Sequence, residues 1–209
     1  MKRHVHKYLL TSGLLLSAGL MGCTPVPPYN PNNICKIYSQ YPKWYWASQD
    51  AYKKWGISPP VQMAVIYQES RFNAHAKPPR GKILWVIPGK RPTTAKGYTQ
   101  ATNGTWQNYI KNTHNTHASR TNFSDATDFI GWYSAQAHRR LGISPNDTYA
   151  LYLAYHEGIG GYAKKTYRKK HWLTEVAKKV QRKASVYQKQ LKSCQSSLPK
   201  RHWWNRLFG

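Results

Sequence analysis

Helix-length runs in this chain are punctuated by starts and stops that leave little room for a sheet. Residues 36 to 56 carry a mostly aromatic stripe of Tyr38, Tyr41, Tyr45, Tyr52 and Trp55, with Gly56 as a stop. Ser58-Pro59-Pro60 then offers a cap and a proline at the first helical position of the next run, Val61 to Phe72. Ser124 precedes a run from Asp125 to Leu141 that Gly142 closes. Asp125 and Asp128 lie in its first turn and Arg139 and Arg140 in its last, as the helix dipole favours. Ser144-Pro145 opens a run from Asn146 to Glu157 that ends at Gly158. A short run covers Thr105 to Lys111, and a long one about Trp172 to Lys192, striped by Val176, Val180, Ala184, Tyr187 and Leu191. Only Ile83 to Ile87, closed by Pro88-Gly89, reads as a strand. The expected class is all-α, with at most a small β-hairpin near residues 81–92.

Charge narrows what such a helical protein does. Lys and Arg number 32 against 7 Asp and Glu, a formal net charge of +25. That balance excludes an acidic calcium-binding protein. The 9 Trp and 16 Tyr exclude a disordered basic arm, which would be poor in aromatics. A folded basic chain suits an anionic partner. Nucleic acid is not the expected one, because no recognition motif accompanies the charge. Carboxylate chemistry has only Glu69, Glu157 and Glu175 to draw on besides the aspartates. His156-Glu157 begins like the zinc motif HExxH, but position 160 is Gly, and His114 with His117 supplies two ligands at most. No metal and no cofactor is expected.

The first 22 residues read as an export signal. Lys2, Arg3 and Lys7 form its charged start and Tyr8 to Met21 its apolar stretch, too short to span a membrane comfortably. Leu20-Met21-Gly22-Cys23 resembles a bacterial lipobox, which implies lipidation of Cys23, attachment to a membrane through that lipid and a place at the outer membrane facing the periplasm. The other reading is an ordinary signal peptide. Residues 23–34, rich in Pro and Asn, read as a tether. Cleavage before Cys23 lowers the formal charge from +25 to +22. With Cys23 lipidated, Cys35 and Cys194 remain as a pair; an oxidising compartment favours a disulfide between them, a reducing one two free thiols. Beyond Cys194, residues 195–209 form a basic tail with Trp203, Trp204, Leu207 and Phe208, a mix that suits an anionic surface or a terminus without a role.

Three patches stand out: Glu69-Ser70-Arg71-Phe72, Gly97-Tyr98-Thr99-Gln100, and Ala154-Tyr155-His156-Glu157-Gly158. In order and spacing they resemble the Glu-Ser-x-Phe, Gly-Leu-Met-Gln and Ala-Tyr-Asn-Ala-Gly motifs of the lytic transglycosylases, over about residues 35–194. The chain looks closest to lipoprotein members with a Tyr-His-Glu-Gly variant. The sequence departs where Tyr98 and Thr99 replace Leu and Met, and where His156 and Glu157 replace Asn and Ala. A substrate-binding Ser of some relatives has no match, and Thr93 or Thr94 stands in its region.

The resemblance implies a goose-lysozyme-like catalytic domain acting on peptidoglycan glycan strands. It implies cleavage of the β-1,4 bond between N-acetylmuramic acid and N-acetylglucosamine, with a 1,6-anhydro product. Glu69 matches the acid and base of that reaction; alone, it also reads as a cap or an ion pair with Arg71. Tyr155 matches the tyrosine that hydrogen-bonds the catalytic Glu, and also reads as core. Ser70, Thr94, Gln100, Tyr155 and Glu157 are the expected substrate-binding residues, with Gln100 on the sugar. Two other readings stay open: a hydrolytic muramidase in which Glu157 positions a water, and a non-catalytic peptidoglycan-binding lipoprotein.

Overall fold

The structure, a computed structural model, describes residues 25–83 and 87–201, and the backbone alone at 82, 83, 87 and 88. The expected signal peptide, Cys23 and residues 202–209 lie outside the described residues.

The fold is helical, as expected. Its helices are α1 (Ile34–Gln40), α2 (Pro42–Trp55), α3 (Pro59–Ser70), α4 (Asn103–Thr113), α5 (Phe123–Leu141), α6 (Thr148–Ala163) and α7 (His171–Cys194). A single 3-10 turn, Thr166–Lys169, precedes α7. Two short antiparallel strands, β1 (Lys82–Ile83) and β2 (Ile87–Pro88), pair Lys82 with Pro88 and Ile83 with Ile87. The hairpin therefore falls where the strand-like run and its closing Pro-Gly suggest it.

Several boundaries differ from the sequence reading for identifiable reasons. The run 36–56 is two helices, because Pro42 has no N–H to continue α1 and instead starts α2. The break resets the phase of the aromatic stripe. Trp44, outside the stripe, becomes deeply buried, and Tyr52, inside it, is exposed. Asn122, not Ser124, caps α5: its Oδ1 accepts the N–H groups of Ser124 and Asp125 at 2.8 and 3.2 Å. Asp147, not Ser144, caps α6, accepting from Ala150 N at 2.9 Å. Thr102 caps α4, which starts before Thr105. Gly158 does break α6, with φ of 77° and ψ of 156°, but a further helical turn follows it. Only a residue without Cβ enters that conformation cheaply.

The core is layered around α3. Every residue from Pro59 to Ile66 is buried, so this helix has no solvent face over most of its length. It packs on α2, α5 and α7, while α6 lies against α5 and α7. Rings fill the space: Trp44 stacks on Phe123 with centroids 3.9 Å apart and planes 1° from parallel, and Phe72 and Tyr98 pack beside Trp44. Asp128 accepts from Lys54 Nζ, Trp55 Nε1 and the Tyr109 hydroxyl at 3.1, 2.8 and 2.7 Å, tying α2, α4 and α5 together.

Cys35 and Cys194 form the expected disulfide, joining α1 to the end of α7. The segments flanking that bridge are less free than their composition suggests. Pro residues leave backbone carbonyls unpaired within their own segment, and side chains of the domain claim them. Tyr41 donates to Val26 O at 2.7 Å, Tyr187 to Pro31 O, and Gln190 Nε2 to Asn32 O at 3.2 Å. Past the bridge, Leu198 is buried, Trp46 Nε1 donates to Pro199 O at 2.8 Å, and Arg201 pairs with Asp50 at 2.6 Å. Residues 25–34 and 195–201 thus pack on the body rather than forming a tether and the start of a free tail. No described helix is long and apolar enough to cross a membrane.

Candidate active site

Glu69 sits in the last turn of α3, where the buried helix reaches the surface of the core. The helix ends just after it because Arg71 turns left-handed, with φ of 52°, and its N–H closes on Tyr67 O at 3.1 Å. Phe72, also at positive φ, inserts fully into the core against Trp44 and Tyr67. Two successive non-glycine residues at positive φ are strained, and the burial of Phe72 offsets that cost. The Glu-Ser-Arg-Phe run is thus a helix end pinned by a ring, which fixes the turn carrying Glu69. Arg71 does not pair with Glu69; its guanidinium lies over the Tyr67 ring, 4.0 Å from the centroid. The Ser70 hydroxyl donates back to Ile66 O at 3.2 Å and is buried, so its bond is spent within α3.

Burial pushes the Glu69 carboxyl up to about 7, against the opposing pull of a hydrogen bond from Tyr152. The residue as a whole keeps part of its surface open to solvent. The two facts describe a carboxyl crowded by protein on most sides and reachable on one. The burial of the carboxyl governs its protonation, because the charge resides there. A carboxyl that keeps its proton near neutral pH can deliver it to a leaving oxygen and then accept one back.

The tyrosine on Glu69 is not the expected one. Tyr152 donates to Glu69 Oε1 at 3.0 Å, whereas Tyr155 donates to Thr99 O at 2.6 Å. Tyr152 and Tyr155 lie one turn apart on the same face of α6, their rings 6.5 Å apart and 19° from parallel. Tyr155 is near enough for the charge of Glu69 to act on it, after burial, in raising its hydroxyl above the ordinary value. Edge contacts with Tyr133 and Phe129 fix its ring. Tyr152 is the residue that sequence reasoning missed. Its signal was its place one turn before Tyr155.

Gly97-Tyr98-Thr99-Gln100 forms a tight loop that delivers Thr99 O to Tyr155. Gly97 has φ of 77°, and a Cβ there would lie 2.1 Å from Arg120 O, so only glycine fits. Tyr98 is fully buried. Gln100 stands at positive φ, and its Nε2 donates to Ala76 O at 3.0 Å and Gly97 O at 2.8 Å. Its amide nitrogen therefore closes the loop and fastens it to the segment after α3, a framework role beside the sugar contact expected of Gln100. Thr94 is exposed, and its Oγ1 accepts from Asn103 N at 3.0 Å. It is not brought into contact with Glu69.

Glu157 is engaged elsewhere. Its side chain is 3% exposed and accepts from Lys170 Nζ at 2.7 Å and from the Thr166 hydroxyl, with His156 Nδ1 at 3.3 Å. Burial pushes this carboxyl up, but the hydrogen bonds from Lys170, Thr166 and His156 together outweigh it and hold the group below its ordinary value. The cluster fastens the kink at Gly158 to the turn before α7. Glu69 and Glu157 are thus two carboxyls pushed in opposite directions by their surroundings.

A family model for the transglycosylase SLT domain matches residues 11–194 of this chain. No curated protein matches it.

Proposed function

Because the chain belongs to the transglycosylase SLT domain family, we propose that it is a peptidoglycan lytic transglycosylase that makes 1,6-anhydro ends. Family membership supports lytic transglycosylase action on peptidoglycan in general; the bond cleaved, the product and the residue roles are our reading. The observation that carries it is Glu69, a carboxyl pushed up to about 7 by burial with a tyrosine on Oε1. Glu69 donates its proton to the glycosidic oxygen of the β-1,4 bond between N-acetylmuramic acid and N-acetylglucosamine. That oxygen leaves with the N-acetylglucosamine side. The resulting carboxylate takes the proton of the C6 hydroxyl of N-acetylmuramic acid. The C6 oxygen closes on C1, and Glu69 ends protonated as it began. Water is neither consumed nor released.

In this reading one carboxyl serves both steps, with the substrate's acetamido group assisting at C1. The engagement of Glu157 by Lys170, Thr166 and His156 supports it, because a carboxylate so occupied is poorly placed to activate a water. Tyr152 orients Glu69, and Tyr155 holds the Thr99 loop against it. Lipidation at Cys23 and a place at the outer membrane facing the periplasm belong to the same proposal, motivated by the lipobox-like Leu20-Met21-Gly22-Cys23. Digestion of purified peptidoglycan followed by mass spectrometry tests the product. Glycan ends lighter by one water than reducing ends are expected; free reducing ends alone would make the protein a hydrolase.

A further inference from the structure

Beside the Gly97 loop lies an open depression of about 460 Å³, lined among others by Lys77, Arg91, Thr94, Lys96, Asn103 and Arg120. Four of these six are cations. Among the described residues, none of the four takes part in an ion pair with a carboxylate. Like charges gathered around one depression repel one another, and the arrangement is relieved when an anion enters.

The walls are built rather than incidental. Arg120 Nη1 donates to Thr94 O at 3.0 Å and Ala101 O at 2.8 Å, and Nη2 to Asn103 Oδ1 at 2.8 Å. Asn103 N in turn donates to Thr94 Oγ1. These bonds lock the segment 93–96 to the start of α4, whose N-terminal dipole end adds to the positive potential. Arg120 is half-buried, and burial draws its guanidinium below the ordinary value, as a cation lacking a counter-charge would be. Arg91 is steadied on Pro78 O, while Lys77 and Lys96 bring ammonium groups to the same rim.

The depression is coupled to the candidate active site through one short loop. Tyr98 N donates to Arg120 O at 3.1 Å, and Thr99 O accepts from Tyr155, which stacks on Tyr152. A glycan strand bound at Glu69 with its substituents turned toward this loop would bring them to the cationic rim. Each N-acetylmuramic acid bears, on its lactyl group, a peptide stem with free carboxylates.

We propose that the depression between Lys77, Arg91, Lys96 and Arg120 binds a carboxylate of the peptide stem. The proposal rests on peptidoglycan being the substrate and adds the part of it that is recognised. It makes the protein a reader of peptide-substituted glycan, distinguishing it from glycan already stripped of peptide.

The test is equilibrium binding to the full chain carrying Glu69→Gln, so that cleavage does not intervene. The probes are a soluble glycan tetrasaccharide with peptide stems, the same glycan with each lactyl carboxyl capped as a simple amide in place of its stem, and the stem-bearing glycan with its stem carboxylates amidated. Removing or amidating the stems is expected to weaken binding about tenfold, the scale of charge-assisted contacts. The triple variant Lys77→Gln, Arg91→Gln, Lys96→Gln is expected to bind all three probes alike. A matched variant with Lys77→Arg and Lys96→Arg keeps the charge and should keep the preference. Inorganic phosphate should compete weakly; competition at concentrations well below those of the stem-bearing glycan would assign the site to phosphate and overturn the proposal. Equal binding of the three probes by the parent, or a preference that survives in the triple variant, would also overturn it. Should the unmutated protein cleave no glycan while the charge-dependent preference holds, the enzymatic reading would fall and the pocket would stand.

Discussion

The Tyr152 hydroxyl donates to Glu69 Oε1 across 3.0 Å, joining the end of α3 to the middle of α6. A hydrogen bond to a carboxylate favours its charged form, and here it opposes the burial that keeps the proton on. The pair therefore sets how readily Glu69 gives its proton up. In Tyr152→Phe the carboxyl should titrate at higher pH, and the alkaline limb of kcat/KM should shift upward by roughly half to one pH unit. Tyr155→Phe, which instead frees Thr99 O, should lower activity and leave the limb in place. An unmoved limb in Tyr152→Phe would remove Tyr152 from the role assigned to it.

Glu69→Gln retains size and polarity but has no proton to deliver. Activity should fall by roughly two orders of magnitude or more while the circular dichroism stays that of the parent. The parent should be most active below about pH 7, the value to which Glu69 is raised. Residual activity in the variant should lose that pH limb. Stability carries a second signature. A carboxyl raised on folding contributes stability that is full below its unfolded value and is lost as pH rises through the folded one. Above about pH 7, Glu69→Gln should therefore be the more stable protein, by on the order of 1–2 kcal/mol after allowing for the partial exposure of Glu69. Urea melts at pH 5 and pH 9 measure the difference.

Glu157 has the opposite sign. Its carboxyl is lower when folded, so its contribution is present above the unfolded value and is lost as pH falls through the folded one. Glu157→Gln should cost about 1–3 kcal/mol at neutral pH, since Lys170 loses its partner, and little in acid. Activity should survive, reduced. A Glu157→Gln protein without activity, beside a partly active Glu69→Gln protein, would move the acid to Glu157.

Much of the helix order was legible because glycine and proline act locally: Gly56 and Gly142 each stop a helix by their own conformation, and Gly158 kinks one. What was illegible depended on partners distant in sequence. Tyr152 and Tyr155 share one face of α6, and periodicity cannot say which of the two reaches an acid on α3. That Gln100 closes its own loop was equally hidden, because an amide has no sequence signature for that role. Pro42 was a local signal, and the stripe of aromatics running through it obscured the break. The cationic depression combines residues from four separate segments, which along the chain are only scattered charges.

Replacing both Cys35 and Cys194 by Ser opens a loop with a sequence separation of 159. Chain entropy released to the unfolded state should lower stability by about 2–5 kcal/mol. Thermal unfolding with and without reductant should show the same loss in the parent. An unchanged midpoint would mean that the packing of α1 on α7 already holds the ends.

That bridge has a mechanical consequence. The Cα atoms of Cys35 and Cys194 are 6.1 Å apart, and nearly the whole body lies between them in sequence. Tension applied between the residue before Cys35 and the one after Cys194 passes from sulfur to sulfur. Helices α2 to α6 lie outside the load path, and Glu69, Tyr152 and the Gly97 loop with them. Pulled from its two ends, the domain extends no further than one cystine.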